Sequence, residues 1–359
     1  MGEHGPHAIM VGPDGRLYYN SGNHSHLKAP IDPASPLNVM YEGELLPHMN
    51  DSRGHAAGIM APGGEIYRSD DMGKTWKRIV GGYRNQYDFA FNSKAELFTF
   101  DSDMEWDIGV PWYRPVRVNH SPIGGELGWR NGSADWPEYY FDSLPATVDL
   151  GRGSPTGVTF YQGSQFPEEY RDRFFICDWS QGRILAVDLK PEGSSFRGRA
   201  KEMVTGQPLN CTDIEAGPDG CVYFSTGGRG TQGGLFRLKS TATASPKPAP
   251  ADWLAAALDV ESPLSSFARK QVEAIPVPAL LPLLGEPDRF LRSAARTAIE
   301  HAGPGRFRDA LLAVDGPRAK LDAMLALARA TTLDQAAQDD LFDRELVLLR
   351  ETLDPALQL

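Results

Sequence analysis

Residues 84–107 read RNQYDFAFNSKAELFTFDSDMEWD, and the reading of this stretch sets the fold class. It opens on a cation beside an amide, Arg84 and Asn85, then passes a polar turn at Asn92, Ser93 and Lys94. The apolar-rich run at 96–100 predicts a strand. Asp101, Asp103, Glu105 and Asp107 follow at every second position, interleaved with Met104 and Trp106, which read as buried. Alternate side chains of a strand share a face, so four carboxylates would crowd together and repel unless a cation or water separates them. Hard oxygen ligands of this kind suit calcium. The bland alternative is a solvated acidic loop at a strand end.

Turn-plus-strand units of the same texture recur on both sides. Gly-Pro-Asp-Gly at 12–15 leads into Leu17-Tyr18-Tyr19, and Gly-Pro-Asp-Gly at 217–220 leads into Val222-Tyr223-Phe224. Each reads as a tight turn feeding a β-rich strand. Weaker relatives stand at 62–67, 92–97 and 174–177. Ser69-Asp-Asp-Met-Gly-Lys-Thr-Trp76 matches the Asp-box pattern. There Ser and Asp side chains bond the hairpin backbone, Gly takes a positive φ and Trp packs beneath the turn. That reading is structural, and sialidase-like hydrolysis has no other support. Residues 108–160 carry many aromatics, among them Trp112, Tyr113, Trp129, Trp136 and Tyr139. These either stack a sugar or planar cofactor or pack an inter-blade loop.

Composition bounds the rest. The chain has 359 residues, 41% hydrophobic and 23% charged, the profile of an ordinary globular protein. Its net charge of −11 disfavours nucleic acid and anionic membranes as partners. No 18-residue apolar run predicts a transmembrane segment, and residues 1–7 show no apolar signal-peptide core. Cys177, Cys211 and Cys221 leave at least one thiol unpaired and form no CxxCH, so no covalent haem site is predicted. The Asn-x-Ser/Thr triplets starting at Asn23, Asn50, Asn119, Asn131 and Asn210 are too common by chance to imply glycosylation.

From Ser240 the texture changes. Residues 241–250 form an Ala/Ser/Thr/Pro linker, after which helical spacing takes over. FARKQVEAI at 267–275 and LRSAARTAI at 291–299 align position for position, each following a proline. Helical patterns continue at 310–314, 320–330 and 341–353. Paired helices of this kind predict HEAT-like stacking of apolar faces. The expected division is a β-propeller at 1–239, a linker at 240–251 and a HEAT-like helical domain at 252–359.

The block Arg84-Asn85-Gln86 with Phe89-Ala90-Phe91 resembles the corresponding block of soluble quinoprotein sugar dehydrogenases. FDSDMEWD, PWYRP-x-RVNH, GWRNGS, SPTGV, FICDWS-x-G and GGRGTQ-x-G, in that order, resemble more closely a bacterial membrane-bound-dehydrogenase family of planctomycete type. The resemblance covers residues 1 to about 240. It implies a six-bladed propeller that binds pyrroloquinoline quinone and calcium, in a periplasmic or envelope location, commonly followed by HEAT helices and a cytochrome c module. At ~40–50 residues per blade, 240 residues hold four or five blades. The expectation is therefore an open arc, with missing N-terminal chain and an exposed apolar blade face near its start.

By the same resemblance His4 is the candidate general base, with His7 the near alternative. Arg84 and Asn85 would contact the quinone oxygens, and Asp103 and Met104 would offer carbonyls to calcium alongside Asp101 and Glu105. The family anchors the quinone carboxylates with one lysine and two arginines, where this chain has Ser180, Asn210 and Thr212. Arg183 and Arg229 lie nearby as substitutes. The function implied is oxidation of a sugar or related alcohol, with electrons passing to a cytochrome. The alternative is a non-catalytic carbohydrate- or protein-binding propeller with a helical docking domain.

Overall fold

The computed structural model describes residues 4–25, 27–37, 63–102, 114–130, 134–242, 276–330 and 333–350. Sheet one is the meander β1 (Pro6–Val11), β2 (Leu17–Ser21), β3 (Gly64–Ser69) and β4 (Lys77–Tyr83). Sheet two begins with β5 (Phe89–Phe91), β6 (Leu97–Asp101) and β7 (Arg117–His120). The chain then returns to sheet one, where β8 (Gly125–Glu126) pairs parallel with β4. A short ribbon of β9 (Trp129–Arg130) and β10 (Ala134–Asp135) follows, before β11 (Val148–Asp149) completes sheet two beside β7. Sheet three is β12 (Pro155–Phe160), β13 (Phe174–Asp178), β14 (Arg183–Glu192) and β15 (Ser195–Thr205); sheet four is β16 (Cys211–Ala216), β17 (Val222–Thr226) and β18 (Gly234–Leu238).

Sequential meanders of this kind are built like propeller blades. β12 lies against both β5 and β16, so neighbouring sheets meet through their first strands. Blades of four antiparallel strands were expected, and among the described residues only sheets two and three have that form. Sheet one gains a parallel fifth strand, and sheet four has three strands among the described residues. The parallel addition needs a close approach of backbones. Gly82, at φ +79, has the amides of Leu127 and Gly128 where a Cβ would sit.

Phe98, Phe100, Phe160, Phe174 and Ile176 fill the space between sheets two and three, and Phe175, Cys177, Cys211 and Phe224 that between three and four. All three cysteines are buried free thiols. Apolar residues are exposed on the first and last sheets: Ile9 and Val11 on β1, Leu235 and Phe236 on β18.

The turns obey their local chemistry. At 12–15 the Gly15 amide bonds the Gly12 carbonyl and Tyr18 Oη donates to Asp14; at 217–220 the Gly220 amide bonds the Gly217 carbonyl and Tyr223 Oη donates to Asp219. In the Asp box, Ser69 Oγ accepts the Gly73 amide, Asp71 accepts the amides of Lys74 and Thr75, and Trp76 Nε1 donates to the Gly73 carbonyl.

The described C-terminal residues are helical: α1 (Val277–Leu280) running into a 3-10 turn, α2 (Arg289–His301), α3 (Arg308–Leu312), α4 (Pro317–Ala330) and α5 (Gln335–Leu349). Residues 291–299 belong to α2, capped by Asp288 through the amides of Phe290 and Leu291. The matching stretch at 267–275 lies outside the described residues. Val277, Leu284, Ile299, Leu311, Ala323 and Leu327 close a core of their own. Phe290 and Ala294 leave it and join Tyr18, Ile79 and Val80 of sheet one, with Leu127 and Leu144 in the same cluster. No helix of the described residues is long and apolar enough to cross a membrane.

Candidate functional site

Arg84 and Asn85 lie where the chain crosses from β4 to β5, and the crossing is held by hydrogen bonds. Asp101, at the end of β6 and 0% exposed, accepts the Arg84 amide through Oδ2 (3.0 Å) and the Asn85 amide through Oδ1 (2.9 Å). Gln86 is equally buried and donates through Nε2 to the carbonyls of Ser21 (3.1 Å) and Glu65 (3.2 Å). Asn20 Nδ2 bonds the Gln86 carbonyl, and the Asn23 amide bonds the Arg84 carbonyl. A segment satisfied from both sheets is a rigid platform.

On that platform the histidines gather. Asn85 Oδ1 meets His7 Nε2 at 2.6 Å, and the His7 ring lies 4.8 Å from that of Tyr87. His4 Nδ1 meets Asn23 Oδ1 at 2.6 Å, and its ring stacks on His24 at 4.2 Å. Gly22 packs between the two pairs: a Cβ there would come within 2.4 Å of Asn85 Oδ1 and 2.8 Å of His4 Cβ. Arg84 donates through Nη1 to Ser102 Oγ. The structure thus brings together His4, His7, Arg84 and Asn85, four residues named from the sequence. It adds Asn23, His24 and Tyr87, which were missed. Asn23 appeared only as a glycosylation triplet, and nothing local marks its contact with His4.

Burial separates the two histidines. His7 is half-buried, and desolvation lowers its pKa against the opposing pull of the Asn85 hydrogen bond. His4 is 5% exposed. Below the platform, burial pushes Asp88 up to about 7, with Asp213 and Glu215 adding repulsion against the backbone amides of Val158 and Phe89. The Asp88 carboxylate thereby ties sheet two to β12.

The remaining candidates are placed differently. Asp101 was expected among the metal ligands, but both its oxygens are committed to backbone amides, with Arg117 Nη2 3.9 Å away. Burial raises it to about 6 in spite of that cation. Asp178 repeats the device one sheet on, accepting the Ser154 amide at 2.8 Å ahead of β12. Asp103, Met104, Glu105 and Asp107 lie outside the described residues. Among the described residues no cluster of three or more His, Cys, Asp or Glu could hold a metal ion.

Arg183 donates to Asp178 at 3.0 Å and to the Leu150 carbonyl, and pairs with Glu202 at 3.5 Å. Arg229 lies over the Trp179 ring at 5.7 Å. Neither bonds the histidine platform among the described residues. Ser180 bonds Asp178, Asn210 bonds the Trp179 carbonyl and Thr212 bonds Ser225 Oγ. Three neutral, internally engaged side chains do not fit the three carboxylates of pyrroloquinoline quinone, which need cations. The aromatic insertion is mostly packing: Trp129 is 1% exposed, and Trp136, 5% exposed, stacks under Arg130. Trp112 and Tyr113 lie outside the described residues.

The chain matches no protein-family model and no curated protein. Among solved structures it is similar to an oxidoreductase of Thermus thermophilus assigned as a glucose dehydrogenase, at 19% identity and a TM-score of 0.45, covering 66% of this chain and 65% of that one. It is also similar to the PQQ-bound form of aldose sugar dehydrogenase from Streptomyces coelicolor, at 16% identity and a TM-score of 0.43, covering 66% and 62%. The soluble aldose sugar dehydrogenase of Escherichia coli, solved in its apo form, matches at 14% identity and a TM-score of 0.40, covering 61% and 60%. The chain spans less than two thirds of the length of each of these three.

Proposed function

We propose that this chain is a dehydrogenase-like propeller that takes a sugar or related alcohol at the His7–Asn85 platform, with His7 as the base for the hydroxyl proton. The observation that carries this is the 2.6 Å contact between His7 Nε2 and Asn85 Oδ1. An amide oxygen only accepts, so it places the imidazole hydrogen on Nε2 and leaves the Nδ1 lone pair to receive a proton. Desolvation keeps the ring neutral near pH 7, the form a base requires. Arg84, on the same platform, supplies a fixed positive charge for a developing alkoxide. His4, the base expected from the family resemblance, is more deeply buried and is read as a support held by Asn23 and His24.

Calcium on loop 103–107, an envelope location, a cytochrome partner and a HEAT-like docking domain belong to this proposal through the family resemblance. Pyrroloquinoline quinone takes no part in this reading, because its carboxylates do not fit Ser180, Asn210 and Thr212. Those same positions favour a second reading, a propeller that binds a carbohydrate without oxidising it.

Calorimetry with glucose, followed by a dye-linked assay with calcium and, as the two-electron hydride acceptor, a quinone that lacks those carboxylates, separates the two. The expected result is saturable sugar binding retained in His7→Ala, with turnover reduced ~10²–10⁴-fold. Sugar binding without dye reduction in the unaltered protein establishes the second reading. No sugar binding at all rejects both.

A further inference from the structure

Between the loop that follows β10 and helices α2 and α4 lies a cavity of about 260 Å³. Helix α2 presents Arg289, Arg292 and Arg296 to it, at spacings of three and four that put all three on one face. Arg318 of α4 adds a fourth guanidinium, and Asp322 is the one carboxylate in the wall.

Most donors in this wall are not matched by acceptors. Arg292 uses Nε on Asp322 Oδ2 (3.3 Å) and Nη1 on the Glu286 carbonyl. Arg289 reaches the Tyr140 carbonyl through Nη2. Arg296 is 3% exposed and spends Nη2 on Asp142 (3.1 Å), but its Nε and Nη1 are buried with no hydrogen-bond partner. The nearest carboxylate oxygens to its Nε belong to Glu300 at 3.7 Å and Asp322 at 3.9 Å. Arg318 makes no hydrogen bond or ion pair among the described residues. Buried guanidinium donors left open at a cavity wall are costly without an acceptor.

Burial raises Asp322 to about 6 and Glu300 to about 7 in spite of the Arg296 cation beside both. Burial, reinforced by Arg292, pushes Arg289 down to about 10, a sign of cations crowded together. Glu138 opposes that shift from the loop side, and Arg329 takes up Asp142 from the helix side.

We propose that this cavity is a binding site for a small organic oxyanion, a carboxylate or a phosphate or sulfate ester carried on a sugar-sized body. Planar guanidinium forks match such oxyanions in pairs. The cavity holds roughly eight waters at about 30 Å³ each, more than a bare oxyanion fills. Tyr139, 45% exposed, offers a ring face for the rest of the ligand. The site joins the sheet-side loop to the helices, so an occupant would bridge them.

The test is calorimetry and thermal unfolding of the full chain with glucuronate, glucose 6-phosphate, inorganic phosphate, sulfate and neutral glucose, at constant ionic strength set with chloride. Glucuronate or glucose 6-phosphate should bind saturably at this site and raise the unfolding temperature, with bare phosphate and sulfate weaker. Arg318→Gln, which breaks no hydrogen bond or ion pair among the described residues, should weaken that binding about 10- to 100-fold. Arg289→Gln should do the same. Because the Arg318 side chain makes no hydrogen bond or ion pair among the described residues and acts on Asp322 only through its charge, that variant should unfold close to the parent without ligand. No anion binding above the chloride control overturns the proposal, as does binding unchanged in both variants. Equal affinity for sulfate and for the sugar acids overturns the sugar-sized body. Glucose binding at the His7 platform is distinguished by its indifference to Arg318→Gln.

Discussion

At the scale of single residues, the site rests on side chains that serve backbone. Asp101 holds the amides of Arg84 and Asn85 in a place with no water to replace it. Asp101→Ala should cost about 2–5 kcal/mol in urea denaturation, and Asp101→Asn, which keeps one acceptor, about half of that. A loss below about 0.5 kcal/mol for the alanine variant would mean the platform holds itself. His7 makes a prediction in pH. Its folded pKa lies below the ordinary 6.5, so its stability contribution is fully present above that value and is lost as pH falls through the lower folded one. Turnover should fall along the same acid limb, with a midpoint below 6.5. His7→Gln should remove this histidine's share of the acid destabilisation, read by denaturation at several pH values. An activity midpoint above 6.5 would exclude His7 as the base.

At the scale of elements, three turns share one hydrogen-bond pattern with different residues in it. Gly12 with Arg16, Asn92 with Glu96, and Gly217 with Cys221 each pair amide to carbonyl across the turn. The left-handed position holds Gly15 and Gly220 at φ +75, but Ala95 at φ 59. A side chain there costs about 1–2 kcal/mol. Ala95→Gly should therefore stabilise the protein by about 1 kcal/mol in chemical denaturation, once the extra backbone entropy of glycine is subtracted. Gly220→Ala should cost more than Gly15→Ala, because a Cβ at Gly220 meets Gln165 Cγ at 2.6 Å, whereas Gly15 has nothing within 4 Å. The reverse order would contradict this account of the turns. The Asp box shows a second element-level effect. Backbone and hydroxyl donors of Thr75 lower Asp71 to about 2. Its bonds to Lys74 and Thr75 should persist down to the ordinary carboxylate range and fail only as pH falls through about 2. Amide exchange at those two positions would show it, and protection lost already near pH 4 would refute it.

At the scale of the whole molecule, helices and sheets share a core. Phe290 and Ala294 of α2 pack among Ile79 and Val80 of sheet one and the loop residue Leu144, and the Phe290 ring lies 5.8 Å from that of His120. The amide and the hydroxyl of Ser194 also donate to the Asp288 carboxylate, each at 2.7 Å. Phe290→Ala should cost about 3–5 kcal/mol. Calorimetry of the parent should show helices and first sheet unfolding together. Two separated transitions in the parent would mean that this contact carries little energy.

Much of this architecture was legible in one dimension. The turns at 12–15 and 217–220, the Asp box, the strands after them and the helical spacing of 291–299 depend on residues a few places apart. Turn geometry and the 2.0 and 3.6 residue periods are properties of neighbouring backbone, so sequence by itself determined them. Sequence also named His7, Arg84 and Asn85 by resemblance. Only the tertiary structure decided that His7 meets Asn85 across 78 positions, that Asp101 serves backbone 16 positions away, and that Arg296 faces Asp142 across 154. A row of alternating carboxylates looks the same in sequence whether it holds a cation or caps an amide. What separates the two is which donors the fold carries to each oxygen, and that is set by packing between sheets, where no local period reaches.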